Sequence, residues 1–251
     1  MKKETSWDTV ADWYHDLLKA EGTYQKEVIL PNLLRVLELK AGETVLDLAC
    51  GEGFFAREFS KKGVRVIGLD AAKKLIEIAK KNSPSSIRFE VGLAEKIPFL
   101  KDQSVDKAVV VLALQNLENV HQVFKEASRV LKLSGRIVLV LNHPAFRIPK
   151  ASSWGWDEKE KIQYRRIDTY LSESREKIET HPSDQGGDYT WSFHRPLQFY
   201  FKSLEKNGFA VSRLEEWNSH KQSQAGPRAK AEDKARKEIP LFLMIEALKI
   251  R

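Results

Sequence analysis

From Thr44 onward, short apolar runs rich in β-branched residues alternate with runs whose apolar positions recur at helical spacing, the pattern of parallel strands joined by helical crossovers. The strand candidates are residues 44–49, 64–70, 87–91, 105–112 and 135–141, and the helix candidates between them are residues 54–62, 72–81 and 120–131. Val109, Val110, Val111 and Leu112 run consecutively, so that strand is apolar on both faces, as a sheet covered on both sides requires. Ahead of the first strand, residues 7–19 place Val10, Ala11, Trp13, Tyr14, Leu17 and Leu18 at three-to-four spacing. Residues 24–39 repeat that spacing around Pro31, which cannot donate within a helix and must kink it or begin a new one. These two segments are expected to form a helical cover, residues 1–40, rather than part of the core.

The alternation stops at Asn142. Residues 143–195 are rich in Trp, Tyr, His, Arg and Gly, and only residues 158–171 have helical character. So long an excursion within a compact domain is expected to be a lid or a binding surface. Residues 196–207 then read as a helix started by Pro196 and stopped near Gly208, and residues 209–217 as a strand. A polar, basic loop over residues 221–237 leads to a last strand over residues 239–250.

Composition narrows the class. A chain of 251 residues suits one domain with an insertion, residues 41–251 following the cover. It has no run of about 18 apolar residues, and its beginning lacks the apolar core of a signal peptide, so no membrane partner and a cytoplasmic location are expected. One cysteine, Cys50, leaves no internal disulfide framework and no cysteine-rich zinc site. No His pair has ligand spacing on a helix, so no metal is expected. The net charge of +7 comes from basic residues interleaved with acids, which describes a solvated surface better than a nucleic-acid footprint.

The chemistry concentrates where the first strand ends. Gly51 and Gly53 sit in a turn that opens a helix, where a bare backbone can approach a ligand, and Asp70 ends the second strand about 20 residues later, where a carboxylate can accept ribose hydroxyls. That spacing suits a nicotinamide dinucleotide as well as S-adenosylmethionine. Asp47 tips the balance, because a carboxylate just before the turn opposes a pyrophosphate and suits a cationic amine.

The segment DLACGEG from Asp47 to Gly53 resembles the first motif of the class I S-adenosylmethionine-dependent methyltransferases, in the type 11 branch. Further landmarks of that branch follow in order: GLD ending at Asp70, GLAEKIPF from Gly92 to Phe99, SVD from Ser104 to Asp106, and RVLKLSGR from Arg129 to Arg136. The resemblance covers roughly residues 44–141. It implies a Rossmann-like α/β three-layer sandwich, with a seven-stranded, mostly parallel sheet and an antiparallel last strand. It also implies that Ala49, Gly51 and Gly53 line the methionine end of S-adenosylmethionine, that Asp70 and Ala71 hold the ribose, and that Ala94 and Glu95 border the adenine. Leu112, Ala113 and Leu117 would lie beneath the sulfonium. Leu93 stands where many relatives carry Asp, and Gln115 and Asn116 stand where relatives often have two histidines.

Methyl transfer is a direct displacement, so alignment in a dry pocket can supply most of the rate without that base. The remaining candidates each have two readings. Tyr14 and Tyr24 either pack between helices or close over the cofactor as cation–π partners. Gln115 and Asn116 either line the pocket or cap a helix. Within the insertion, His194 and His143 are the candidate bases, among Tyr164, Arg165, Arg166, His181, Tyr189, Trp191 and Arg195, which either shape an acceptor pocket or pack a solvated lid. Cys50 fills a tight turn. A small-molecule acceptor attacked at O, N or C is favoured over RNA or protein, and a cofactor-binding module without catalysis stands as the alternative.

Overall fold

The computed structural model describes residues 6–9, 11–179 and 189–251, so His181 and the ring of Tyr14 lie outside the described residues. Parallel strands β1 (Thr44–Leu48), β2 (Arg65–Asp70), β3 (Arg88–Val91), β4 (Val105–Val111) and β5 (Leu131–Asn142) form most of one sheet. Two separate antiparallel pairs follow, β6 (Ser152–Asp157) with β7 (Ile162–Ile167), and β8 (Ser174–Glu179) with β9 (Tyr189–His194). The chain then returns to the sheet with β10 (Phe209–Trp217) and β11 (Phe242–Lys249), giving the order β10-β11-β5-β4-β1-β2-β3. β11 is antiparallel to both of its neighbours. The expected seven-stranded, mostly parallel sheet is therefore present.

Alternation along the strands sorts the core into two layers. Leu46 and Leu48 of β1, Ala108 and Val110 of β4, and Ile137 and Leu139 of β5 meet α6 (Val120–Val130) and α7 (Leu197–Lys206) on one face. Val45, Val109, Val138 and Val140 face the other side, against α3 (Leu30–Leu37), α4 (Phe54–Ser60) and α5 (Lys73–Lys81). Burying side chains such as Phe124 and Leu33, both with no exposed surface, stabilises the fold by roughly 1.5–3 kcal/mol each.

Three segments depart from the sequence reading. The second N-terminal segment is core rather than cover, since Leu33, Val36 and Leu37 of α3 are buried against the sheet. Pro31 begins this helix, after a π-helical turn over Gln25–Ile29 that ends the preceding segment, so it marks a new start. The part that remains outside the sheet is α1 (Ser6–Thr9) and α2 (Ala11–Lys19), where Ala11 packs on Ala72 and Leu75.

Residues 158–171 are not helical. Ile162–Ile167 alternates between exposed and half-buried positions and pairs with the tryptophan-bearing strand β6, for example Trp154 opposite Arg165, so cross-strand packing overrides the local helical tendency. Residues 221–237 are a loop only in their first part, because α8 (Ala229–Glu238) occupies the rest. Its sequence is rich in good helix formers but has no apolar stripe, which is why periodicity missed it.

Candidate functional site

At the carboxyl ends of β1, β2 and β4, where open α/β sheets bind ligands, lies a cavity of about 280 Å³. Its floor is made of strained turns. Ala49 follows β1 with φ 56° and Leu112 follows β4 with φ 53°, left-handed values that cost a residue with a Cβ about 1–2 kcal/mol. Such strain persists only where surrounding bonds fix it and is concentrated at functional sites. Here the next amide, Cys50 N, bonds Leu69 O at 3.0 Å, and Leu112 N bonds Val140 O at 2.8 Å.

The two glycines of the turn have different reasons to be glycine. Gly51, with φ 57°, lines the cavity. Gly53 does not, which corrects the expectation of ligand approach there. Its φ is 81° and an added Cβ would stand 2.8 Å from the ring of Phe89, so backbone conformation and core packing demand it. Cys50 beside them is buried, and burial followed by the charge of Asp47 pushes its thiol well above the ordinary range, as suits a packing residue.

Asp70 lines the cavity, and its carboxylate accepts the backbone N–H groups of Gly51 and Ala72, each at 2.8 Å. Burial nevertheless raises its pKa above the usual value. Asp47 is placed otherwise than expected. It lies one residue short of the strand end, 1% exposed and away from the cavity wall, with Oδ2 lacking any partner. Burial, then the charge of Asp70, pushes its pKa up to about 8.

Of the other expected cofactor residues, Ala71, Ala94, Glu95, Ala113 and Leu117 all line the cavity, and so does Asn116. Tyr24 does not. Its hydroxyl pairs with Ser219 at 3.1 Å and its ring meets His220 and Phe242 edge-on, so it serves packing away from the cavity. Gln115 and Asn116 cap no helix, because Asn119 receives the Gln122 amide at the start of α6. Gln115 instead turns back to donate to Leu112 O at 2.6 Å.

The two candidate bases are also elsewhere. His143 accepts the Ala145 amide on Nδ1, so Nε2 carries the proton and donates to Glu216 at 2.8 Å, and burial lowers its pKa. His194 is buried and donates from Nε2 to Tyr170 O at 2.7 Å. Neither lines the cavity. The bend after β5 directs His143 toward β10, and the alternation of β9 turns His194 away from the face carrying its aromatic neighbours.

That face is what the sequence reading underrated. In β9, Thr190, Ser192 and His194 are buried while Tyr189, Trp191 and Phe193 occupy the opposite face, and Trp191 and Phe193 close the cavity. Arg175 of β8, also in the wall, lies 3.9 Å over the Trp191 ring. The period-two spacing of the three aromatics was the readable signal. Trp7 of α1 is a further wall residue. Its helix is anchored where Asp8 accepts the Lys74 amide at 3.0 Å, and α2 is tied to the glycine turn by His15 on Glu52 at 3.1 Å.

The methyltransferase domain family matches residues 46–139, which hold most of the cavity floor. The chain is 32% identical to the uncharacterised methyltransferase YcgJ of Bacillus subtilis over 144 residues, 56% of this chain and 55% of that one. It is 39% identical to the demethylmenaquinone methyltransferase of Thermotoga maritima over 100 residues, 39% of this chain and 43% of that one. The chain thus spans about half the length of these curated relatives. Among solved structures, an S-adenosylmethionine-dependent methyltransferase from Mesorhizobium loti superimposes with a TM-score of 0.69 at 27% identity, covering 86% of this chain and 96% of that one.

Proposed function

We propose that the chain is a class I S-adenosylmethionine-dependent methyltransferase of the type 11 branch, a reading supported by the family match over residues 46–139 and by the Mesorhizobium structure, and that it transfers the methyl group of S-adenosylmethionine to an O, N or C nucleophile of a small molecule. The observation that carries this reading is the wall formed by Asp70, Gly51 and the left-handed residues Ala49 and Leu112 around one cavity. Asp70 presents a carboxylate already oriented by two backbone amides, a preformed acceptor for ribose hydroxyls. Ala94 and Glu95 would border the adenine, and Leu112, Ala113 and Leu117 would face the reacting end.

Bound S-adenosylmethionine supplies a methyl carbon on a positively charged sulfur, which the nucleophile takes in a single displacement while the bond electrons stay on sulfur. The protein's part is positioning and exclusion of water. Trp7, Trp191 and Phe193 close the cavity with apolar surface, and Asn116 offers hydrogen bonds to orient an acceptor. No imidazole lines the cavity among the described residues, so the acceptor's proton leaves to water or to a wall carboxylate.

A small acceptor suits a cavity of about 280 Å³ closed by aromatic rings from an inserted strand pair. The Thermotoga relative is named for a demethylmenaquinone acceptor, a small molecule rather than an RNA or a protein. No helix among the described residues is long and apolar enough to cross a membrane. Calorimetric titration with S-adenosylmethionine and with NAD tests the cofactor, the first being expected to bind and the second not. Formation of S-adenosylhomocysteine over a panel of small nucleophiles then tests transfer, and cofactor binding with no product from any acceptor would leave a binding module instead.

A further inference from the structure

Behind the aromatic wall lies a second, smaller cavity of about 40 Å³. Phe193 lines both cavities, and Gln115 in the smaller one is followed directly by Asn116 in the larger. The smaller cavity is cationic. Arg147, Arg195 and His194 line it, and no carboxylate does.

Its arginines differ in how their donors are used. Arg195 is spent on backbone, donating to Leu114 O, Leu117 O and Glu118 O at 3.3, 2.9 and 2.7 Å. Arg165, which shares the Trp154 ring with Arg147 but does not line the cavity, donates to Phe146 O at 2.8 Å and to Ser152 Oγ at 2.7 Å. Among the described residues the Arg147 side chain has the Trp154 ring, its guanidinium carbon 5.4 Å from the centroid, and no hydrogen-bond acceptor, and its buried Nε has no partner. Among the described residues no acid forms an ion pair with it. Across the same cavity the buried Oε1 of Gln115 also has no partner, while its Nε2 is held by Leu112 O. A guanidinium Nε and an amide oxygen, both buried and both unmatched, are costly unless a ligand supplies their complements.

We propose that this cavity holds the acid group of the methyl acceptor, a carboxylate on Arg147 with a neighbouring O–H or N–H donating to Gln115, while the rest of the molecule passes Phe193 toward the larger cavity. The proposal rests on the methyltransferase reading and narrows it to an organic acid carrying a hydroxyl or amine. The volume favours a carboxylate over a phosphate, since about 40 Å³ admits roughly three water-sized groups. Arginine's planar fork also matches a carboxylate's two oxygens.

The test uses salicylate as probe and salicylamide as its uncharged counterpart, titrated calorimetrically into the full chain saturated with S-adenosylhomocysteine. Salicylate is expected to bind at least tenfold more tightly than salicylamide. Arg147→Met is expected to lose at least tenfold in salicylate affinity, and Arg147→Lys to recover part of it, with S-adenosylhomocysteine binding unchanged in both. Equal binding of the two probes, no salicylate binding, or full affinity in Arg147→Met would overturn the proposal while leaving the cofactor reading intact. Failure of the unmodified chain to bind S-adenosylhomocysteine would remove that reading instead, and the salicylate comparison without it would still decide the anion site.

Discussion

The carboxylate of Asp70 stands 2.8 Å from the backbone nitrogen of Gly51, tying the end of the second strand to the turn that follows the first. Its other oxygen holds Ala72 N at the same 2.8 Å, before α5 begins. Asp70 is therefore a structural acceptor as well as a cavity-lining group, proposed to hold the cofactor's ribose. Asp70→Asn turns an N–H donor toward one of those amides, and is expected to cost about 1–3 kcal/mol in both folding stability and S-adenosylhomocysteine affinity. Thermal melts with and without ligand check this, and an unchanged dissociation constant would contradict the cofactor role.

Asp47 carries a pH signature. Its pKa of about 8 in the fold lies well above the ~4 of an unfolded aspartate. Between those values the folded state holds a proton that the unfolded chain has lost, so stability declines as pH rises through this window and levels off above it. Asp70, also raised, adds to the decline in the same direction. Asp47→Asn should remove the larger share, and its melting temperature should gain on that of the unaltered chain between about pH 5 and pH 8.5. Parallel pH curves for the two proteins would show that Asp47 is solvated.

The left-handed positions separate conformation from ligand approach. Ala49→Gly relieves a φ of 56° and is expected to stabilise by roughly 1 kcal/mol. Gly53→Ala adds strain at φ 81° and drives a Cβ to 2.8 Å from the buried Phe89 ring, so it should destabilise by about 2–4 kcal/mol. Denaturant midpoints give both signs. A stable Gly53→Ala protein with weakened cofactor binding would restore the ligand-contact reading.

His143 is bound to Glu216 and outside the main cavity, so His143→Gln should cost about 1 kcal/mol of stability and change kcat only a few-fold. A general base would instead be worth about 10²–10⁴. Steady-state rates, once an acceptor is in hand, distinguish the two.

Elements whose burial follows a single period were legible from the chain. β1, β4 and α6 need only alternation or three-to-four spacing to be placed, and the glycine turn with Asp70 about 20 residues on pointed to a ligand at the strand ends. The hairpin of β6 with β7 and the helix α8 were not legible, because their stability comes from each other. Arg228 at the start of α8 stacks 4.7 Å from Trp156, a contact between residues far apart in sequence.

The succession of strands and helices along the chain, and the glycine turn that closes the first strand, were already determined by local pattern, because hydrophobic periodicity and turn chemistry act between near neighbours. Direction of individual side chains was decided only in three dimensions. Asp47 is buried and leaves an oxygen unmatched, His143 and His194 are taken by Glu216 and Tyr170, and Trp7, Arg175 and Trp191 arrive from distant parts of the chain to close the site. Spacing along a chain restricts where a backbone can go, but which polar atoms find partners depends on what the folded chain brings beside them.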